Sequence, residues 1–315
     1  MNNIIICGAL AYDRIMDFPG RFSEHILAGQ THILNVTFTV AEVKESFGGT
    51  GGNIAYNLAL LGERPKLIAA AGKDFGRYKK WLKKNKIDIS GVKTVKDELT
   101  ASASIITDQD DNQITAYWPG SKIQSPQPPL SKERNQLAII APDTVARMRE
   151  YAKIFRQNNT PYIFDPGQQL AYYNSKDLLK SIKGAELTIG NDYEIEMVRR
   201  KLGVRLSKLA ELAKSLIITK GGKGAELYYD NKKILVPAAK KKAVIDPTGA
   251  GDAMRAGIIK GMVMGLPMLQ CVRLGMVVSA YAVESRGTQE HKFSWASVKK
   301  RYRENYHDSL YKYNF

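Results

Sequence analysis

The run Asp246-Pro247-Thr248-Gly249-Ala250-Gly251-Asp252-Ala253-Met254-Arg255-Ala256-Gly257 sets a turn of small residues directly before a helix-period segment reaching about Met264. Gly249, Ala250 and Gly251 have little or no side chain, so their backbone N–H groups can approach an anion at the positive end of that helix. Asp252 opens the same helix, where a carboxylate can accept a proton from an attacking hydroxyl. The same residues also make an ordinary glycine-rich turn with an aspartate cap, and the run alone leaves both readings open. A second small-residue turn, Phe47-Gly48-Gly49-Thr50-Gly51-Gly52-Asn53, precedes the helix-like Ile54 to Leu61. Its glycines allow close backbone approach to a ligand, and Asn53 offers both a donor and an acceptor. Neither turn is a P-loop, and Thr219-Lys220-Gly221-Gly222-Lys223-Gly224 lacks the hydroxyl that a P-loop carries after its lysine.

Other chemistry-bearing residues are poorly placed. His25, His32, His291 and His307 have no metal-ligand spacing and are expected as surface or capping histidines. Asp74 and Asp110 are expected in turns. Cys7 and Cys271 lie in a strand-like and a helix-like run, which excludes a disulfide framework or zinc spacing and fits a reducing, cytoplasmic setting. The apolar run Ile4 to Ala11 has no basic leader, and no stretch reaches about 18 apolar residues, so neither secretion nor membrane spanning is expected.

The net charge of +16 raises the question of nucleic acid. The basic residues are spread over helix-like segments such as Lys79, Lys80, Lys83 and Lys84, with a short run at Lys240 to Lys242. That distribution reads as a solvated face that also attracts anionic substrates, not as a nucleic-acid stripe. The tail from Lys299 interleaves Tyr302, Tyr306, Tyr311 and Tyr313 with basic residues and is expected as a helix packing its aromatic face.

Positioning these turns requires a scaffold, and 315 residues with 44% hydrophobic content can bury one large core. Short β-branched runs alternate with helix-period segments: Ile4 to Cys7 then Asn53 to Leu61, Leu137 to Ile140 then Thr144 to Phe155, Tyr162 to Phe164 then Asp177 to Ile182. The alternation predicts an α/β fold, a mostly parallel sheet covered by helices. Two regions break it: His32 to Val40 alternates as a strand, and Ser102 to Thr107 with Gln113 to Trp118 flank a turn. These are expected as antiparallel strands of a small β-sheet lid, 13–46 and 99–118, inserted into a large domain of 1–12, 47–98 and 119–315. Gln124 to Leu130 is expected as a plain Pro-rich connector.

Taken together, the two turns resemble the paired signatures of the ribokinase-like (PfkB) carbohydrate and nucleoside kinases. The resemblance implies a three-layer ribokinase-like sandwich and transfer of a phosphoryl group from ATP with Mg²⁺, a monovalent cation being an optional addition. It implies Asp252 as base with Gly249, Ala250 and Gly251 as anion hole, and Asn191 with Glu194 as the Asn-x-x-Glu motif organising magnesium through water. Asn191, Thr219, Gly221, Gly224, Gly249 and Gly251 would contact ATP. Four further segments, Phe18 to Glu24, Asp165 to Leu170, Asn191 to Glu194 and Gly287 to Glu290, are similar to bacterial adenosine kinases of the actinobacterial type. That narrower likeness implies nucleoside contacts from Asp13, Thr37, Gly49 and Asn53, with Gln168 and Gln169 near the base and Tyr117 stacking on adenine. Ser102-Ala103-Ser104 stands where those enzymes carry a second aromatic, and Ala9 where they carry a serine. A nucleoside or free sugar and ATP are the implied partners, with neither nucleic acid nor membrane, and a homodimer through the lid is compatible with the family. A free-sugar kinase and a catalytically silent nucleoside sensor are the competing readings.

Overall fold

A computed structural model describes residues 3–26, 35–110, 112–120 and 136–310. Ile4, Ile5, Ile6 and Cys7 of β1 (Asn3–Cys7) are all buried, because both faces of this strand are covered. Ile4 and Ile6 enter one apolar cluster while Ile5 and Cys7 enter another, as alternate side chains of a central strand must.

On one side β1 pairs with β4 (Lys66–Ala71) and then β5 (Asp88–Thr94). On the other it pairs with β8 (Gln136–Ile140), followed by β9 (Tyr162–Phe164), β10 (Leu187–Asn191) and β11 (Ser215–Thr219). All of these pairings are parallel. The strands β12 (Ala225–Tyr229) and β13 (Lys232–Val236) add antiparallel, completing nine strands among the described residues. Helices α2 (Thr50–Leu60), α3 (Gly76–Lys84), α8 (Ala250–Val263), α9 (Met268–Ala282) and α10 (Trp295–Tyr306) contribute to the first cluster. Helices α4 (Val145–Gln157), α5 (Ser175–Gly184), α6 (Asp192–Leu202) and α7 (Leu206–Leu212) contribute to the second, giving three layers. Tyr302 of α10 is fully buried and Tyr306 donates to the Pro237 carbonyl, so the tail helix does pack its aromatics.

The chain leaves β1 toward β4 and β5 and later crosses to β8, so strand order reverses at β1. Ligands of open α/β sheets bind outside the carboxyl ends of the strands at such a reversal.

A smaller sheet, ordered β3-β2-β6-β7, is built from β2 (Ala11–Asp17), β3 (Glu42–Gly48), β6 (Ala101–Thr107) and β7 (Gln113–Trp118). Two expectations need correction here. Residues 35–40 form no strand; Phe38 is drawn into an aromatic cluster with Phe18, Phe22 and His25, the last two on α1 (Phe22–His25). Also, β2 pairs parallel with β6, and only the other two pairings are antiparallel. Residues 32–34, Asp111, the connector 124–130, Tyr311 and Tyr313 lie outside the described residues. Among the described residues no helix is long and apolar enough to cross a membrane.

Candidate active site

A cleft of about 1080 Å³ lies between the carboxyl ends of the large sheet and one face of the small sheet. Its floor includes Ala9 after β1 and Pro142 and Asp143 after β8, where strand order reverses.

The turn before α8 is fixed by Asp246, whose carboxylate accepts from the Thr248 N–H (2.9 Å) and from the Gly287 N–H (2.9 Å). Gly249 then takes φ 78°, the left-handed region that glycine occupies without a Cβ penalty, and α8 begins at Ala250. Gly249 and Gly251 line the cleft; Ala250 does not, and its N–H donates to the Pro247 carbonyl across a long 3.2 Å. An anion at this turn would therefore meet the Gly249 and Gly251 amides first.

Asp252, in the first turn of α8, faces the same cleft. Its carboxylate accepts a hydrogen bond from Asn53 Nδ2 at 2.9 Å. Burial pushes its pKa up to about 7; the charges of Asp165 and Asp13 push the same way, against Arg255 and the Asn53 bond. A carboxylate poised near neutrality is suited to general base work.

The orientation of Asn53 is itself enforced. Gln289 Nε2 donates to Asn53 Oδ1 (3.0 Å) and to the Tyr78 hydroxyl (2.6 Å), while Gln289 Oε1 accepts from Trp81 Nε1 (2.9 Å). Tyr78 in turn donates to the Gly48 carbonyl at 2.8 Å. With its oxygen held by Gln289, Asn53 can present only its NH₂ to Asp252. The chain of bonds runs from α3 through the loop after α9 to α2 and α8.

The small sheet supplies the other wall. Asp13 on β2 is paired with Ala103 on β6, which is paired with Tyr117 on β7, so the three share one row on the cleft face. Asp13 lies against the Gly48 backbone, where a Cβ would sit 2.0 Å from Asp13 Oδ2. Burial, with Asp246's charge, raises the Asp13 pKa to about 6, and no described residue donates a hydrogen bond to its carboxylate. Gly49 (φ 82°) admits no side chain, because a Cβ would strike the Ala9 carbonyl and Ala11 N at 2.6 Å. Gln168 and Gln169, on a 3-10 turn over Gly167–Tyr172, line the cleft near Tyr172.

At the far end Asn191 and Glu194 form a capping box on α6: Asn191 Oδ1 accepts from the Glu194 N–H and Glu194 Oε2 from the Asn191 N–H, each at 2.8 Å. Burial raises the Glu194 pKa, with Asp165's charge adding to it. Both residues line the cleft, as do Thr219 and Gly221. Among the described residues no group of three or more acidic, histidine or cysteine side chains could cage a metal. The Glu194 oxygen outside the capping box suits the indirect, water-mediated role that Mg²⁺ favours.

Besides Ala250, two expected site residues lie outside the cleft lining. Thr37 is exposed and does not line the cleft, and its neighbour Phe38 packs against Phe18, Phe22 and His25. Gly224 closes the turn before β12 by accepting from the Lys220 N–H, packed where a Cβ would strike the Val236 carbonyl. His291 is neither surface nor cap: it is 2% exposed, bonded to Asn57 Oδ1 at 2.7 Å, and burial lowers its pKa to about 4. Conversely, two cleft residues escaped the sequence reading of the site, the ion pair Asp143–Arg147 at 2.9 Å, while the ion-paired Asp165 and Arg255 stood only within the segments Asp165 to Leu170 and Asp246 to Gly257, with no role given. Gln289 stood only within the segment Gly287 to Glu290.

A model of the pfkB family of carbohydrate kinases matches residues 9–295. The nucleoside kinase of Methanocaldococcus jannaschii is 32% identical over 270 residues, spanning 85% of this chain and 89% of that protein. The crystal structure of that enzyme, described as an archaeal member of the ribokinase family, has a TM-score of 0.86 at 31% identity and covers 97% of this chain and 99% of its own. The Burkholderia thailandensis nucleoside kinase in complex with ADP-inosine has a TM-score of 0.88 at 35% identity, covering 99% of this chain and 98% of its own.

Proposed function

This chain belongs to the pfkB family of carbohydrate kinases and is a phosphotransferase with an alcohol acceptor, and we propose that the alcohol is the 5′-hydroxyl of a nucleoside, adenosine foremost. The observation that carries the reading is the row Asp13–Ala103–Tyr117. A hydroxyl-binding carboxylate and an aromatic ring stand two strand spacings apart, roughly 10 Å. That separation suits a ribose at one end and a base at the other, whereas a free sugar leaves Tyr117 without a partner. The nucleoside kinases to which the chain is similar support the same class.

In the proposed reaction the 5′-oxygen attacks the γ-phosphorus of ATP in line, the bond to the β,γ-bridging oxygen breaks, and ADP leaves with that oxygen. Asp252 takes the hydroxyl proton, and the amides of the Gly249–Gly251 turn stabilise the transferring charge. Asn53 holds Asp252 in place. Magnesium bound with the ATP phosphates would neutralise charge, with Glu194 orienting its water. The small sheet acts as the lid that excludes competing water.

A coupled assay across adenosine, guanosine, inosine, ribose and fructose tests the reading. The expected outcome is a higher kcat/KM for adenosine than for ribose or fructose. Preference for a free sugar overturns the nucleoside assignment, and binding of adenosine without turnover favours the sensor.

A further inference from the structure

Helix α8 carries a cation that the chemistry above leaves idle. Arg255 stands one turn after Asp252; it is only 7% exposed yet lines the cleft. Its Nε donates to Asp165 Oδ2 at 2.5 Å, and Asp165 is 2% exposed. Asp165, Asp252 and Glu194 all favour its charged form against the opposing effect of burial. Among the described residues its terminal nitrogens have no hydrogen-bond partner, and neither is sealed from water. One of them lies against the anion turn: a Cβ on Gly251 would come 2.8 Å from Arg255 Nη1.

A buried ion pair kept for packing alone is a poor stabiliser, because desolvation offsets most of the attraction. Here the pairing engages one N–H and leaves the rest of a rigid donor fork beside the amides that would receive a phosphate. The fork is thus oriented before any anion arrives.

We propose that Arg255 is a catalytic residue of the phosphoryl transfer. Anchored by Asp165 through Nε, it donates from its Nη groups to the non-bridging oxygens of the γ-phosphoryl group above the Gly249–Gly251 turn. Its positive charge offsets the carboxylates of Asp165, Asp252 and Glu194, which would otherwise repel that group. The proposal rests on the kinase reading above, but its test needs no acceptor.

The test compares magnesium complexes of ADP and of the non-hydrolysable ATP analogue AMP-PNP, by calorimetry on wild type, Arg255→Lys, Arg255→Met and Asp165→Asn/Arg255→Met. The double variant removes the carboxylate that Arg255→Met alone would leave buried and unpaired, which keeps a folded sample available. Losing charge-assisted bonds to the γ-phosphate should weaken AMP-PNP about 10- to 100-fold while ADP stays within about twofold. Arg255→Lys should fall between, since an ammonium keeps the charge without the fork. An unchanged AMP-PNP to ADP affinity ratio in the double variant overturns the proposal and leaves Arg255 a packing residue. Should the wild type phosphorylate none of the acceptors tested, the functional reading fails while this ratio still decides the role of Arg255.

Discussion

Burial holds the Asp252 carboxyl at about 7 against an ordinary value of 3.8, and the consequences for activity and stability have opposite signs. Activity needs the ionised base, so kcat/KM should rise with pH through about 7. A raised carboxyl pKa means that the native state binds the proton more tightly than the unfolded chain does. The stabilisation from that proton is fully present below 3.8 and lost as pH rises through about 7. Asp252→Asn should therefore lower kcat by about 10² to 10⁴ yet melt higher than wild type, by a margin that grows from about pH 4 to pH 7. A pH titration of both quantities on one preparation checks this, and near-normal kcat removes Asp252 from the mechanism. Asp13 has a carboxylate to which no described residue donates, and in the proposed reaction ribose hydroxyls would fill that place. Asp13→Ala should blunt discrimination between adenosine and its 2′-deoxy analogue, read as a ratio of kcat/KM values. The position of Asp252 at the start of α8 was legible because its turn and helix start are contiguous in sequence. Arg255 and Asp165 lie 90 positions apart, and neither residue type is distinctive without the other. His291 was expected at the surface because the histidines have no metal-ligand spacing, and only the fold shows that Asn57 receives it inside.

Among the elements, the row across β2, β6 and β7 is the one on which the proposed nucleoside preference rests. Stacking of a base on one aromatic face contributes about 1 to 3 kcal/mol, so Tyr117→Ala should weaken adenosine binding roughly 5- to 150-fold. Ribose has no base to lose, and its kcat/KM should change little. Ala103 is Tyr117's direct neighbour across the ladder, so Ala103→Phe would widen the aromatic surface beside it and should raise adenosine affinity. Equal losses on adenosine and ribose in Tyr117→Ala would reduce Tyr117 to a structural strand residue. The pair β6 and β7 was legible from alternation around a turn. The central strand β2 was not, because Ala-Tyr-Asp-Arg-Ile-Met-Asp has partly covered residues on both faces and so shows no clean period. The stretch 32–40 alternates better on paper, yet Phe38 packs into an aromatic cluster and no strand forms over 35–40.

For the whole molecule, the mostly parallel sheet covered by helices followed from strand and helix periods, because a doubly covered parallel sheet writes itself into nearly unbroken apolar runs, whereas the three-layer arrangement was implied by the family resemblance. Charge is distributed less obviously. The chain carries +16, while the cleft is lined by Asp13, Asp143, Asp165, Glu194 and Asp252 against Arg147 and Arg255. Long-range steering of ATP, as distinct from its local binding in the cleft, would then come from the outer surface, where salt screens it. Raising salt from about 20 to 300 mM should lower kcat/KM for ATP several-fold and leave that for neutral adenosine unchanged. Equal responses would exclude steering. The parallel pairing of β2 with β6 has a consequence for how the protein is made. Asp13 and Ala103 meet although they stand 90 positions apart, and a parallel pair cannot close through a hairpin. The β2–β6 seam of the cleft's second wall has high contact order, and it should close only after β4 and β5 have returned the chain beside β1. On refolding from denaturant, far-UV dichroism should recover before the capacity to bind adenosine, with the lag set by a docking step and not by local zippering. A ribosome releasing the first hundred or so residues would expose β2 with an unpaired edge, a nascent-chain hazard built in by the division of the small sheet between two distant segments.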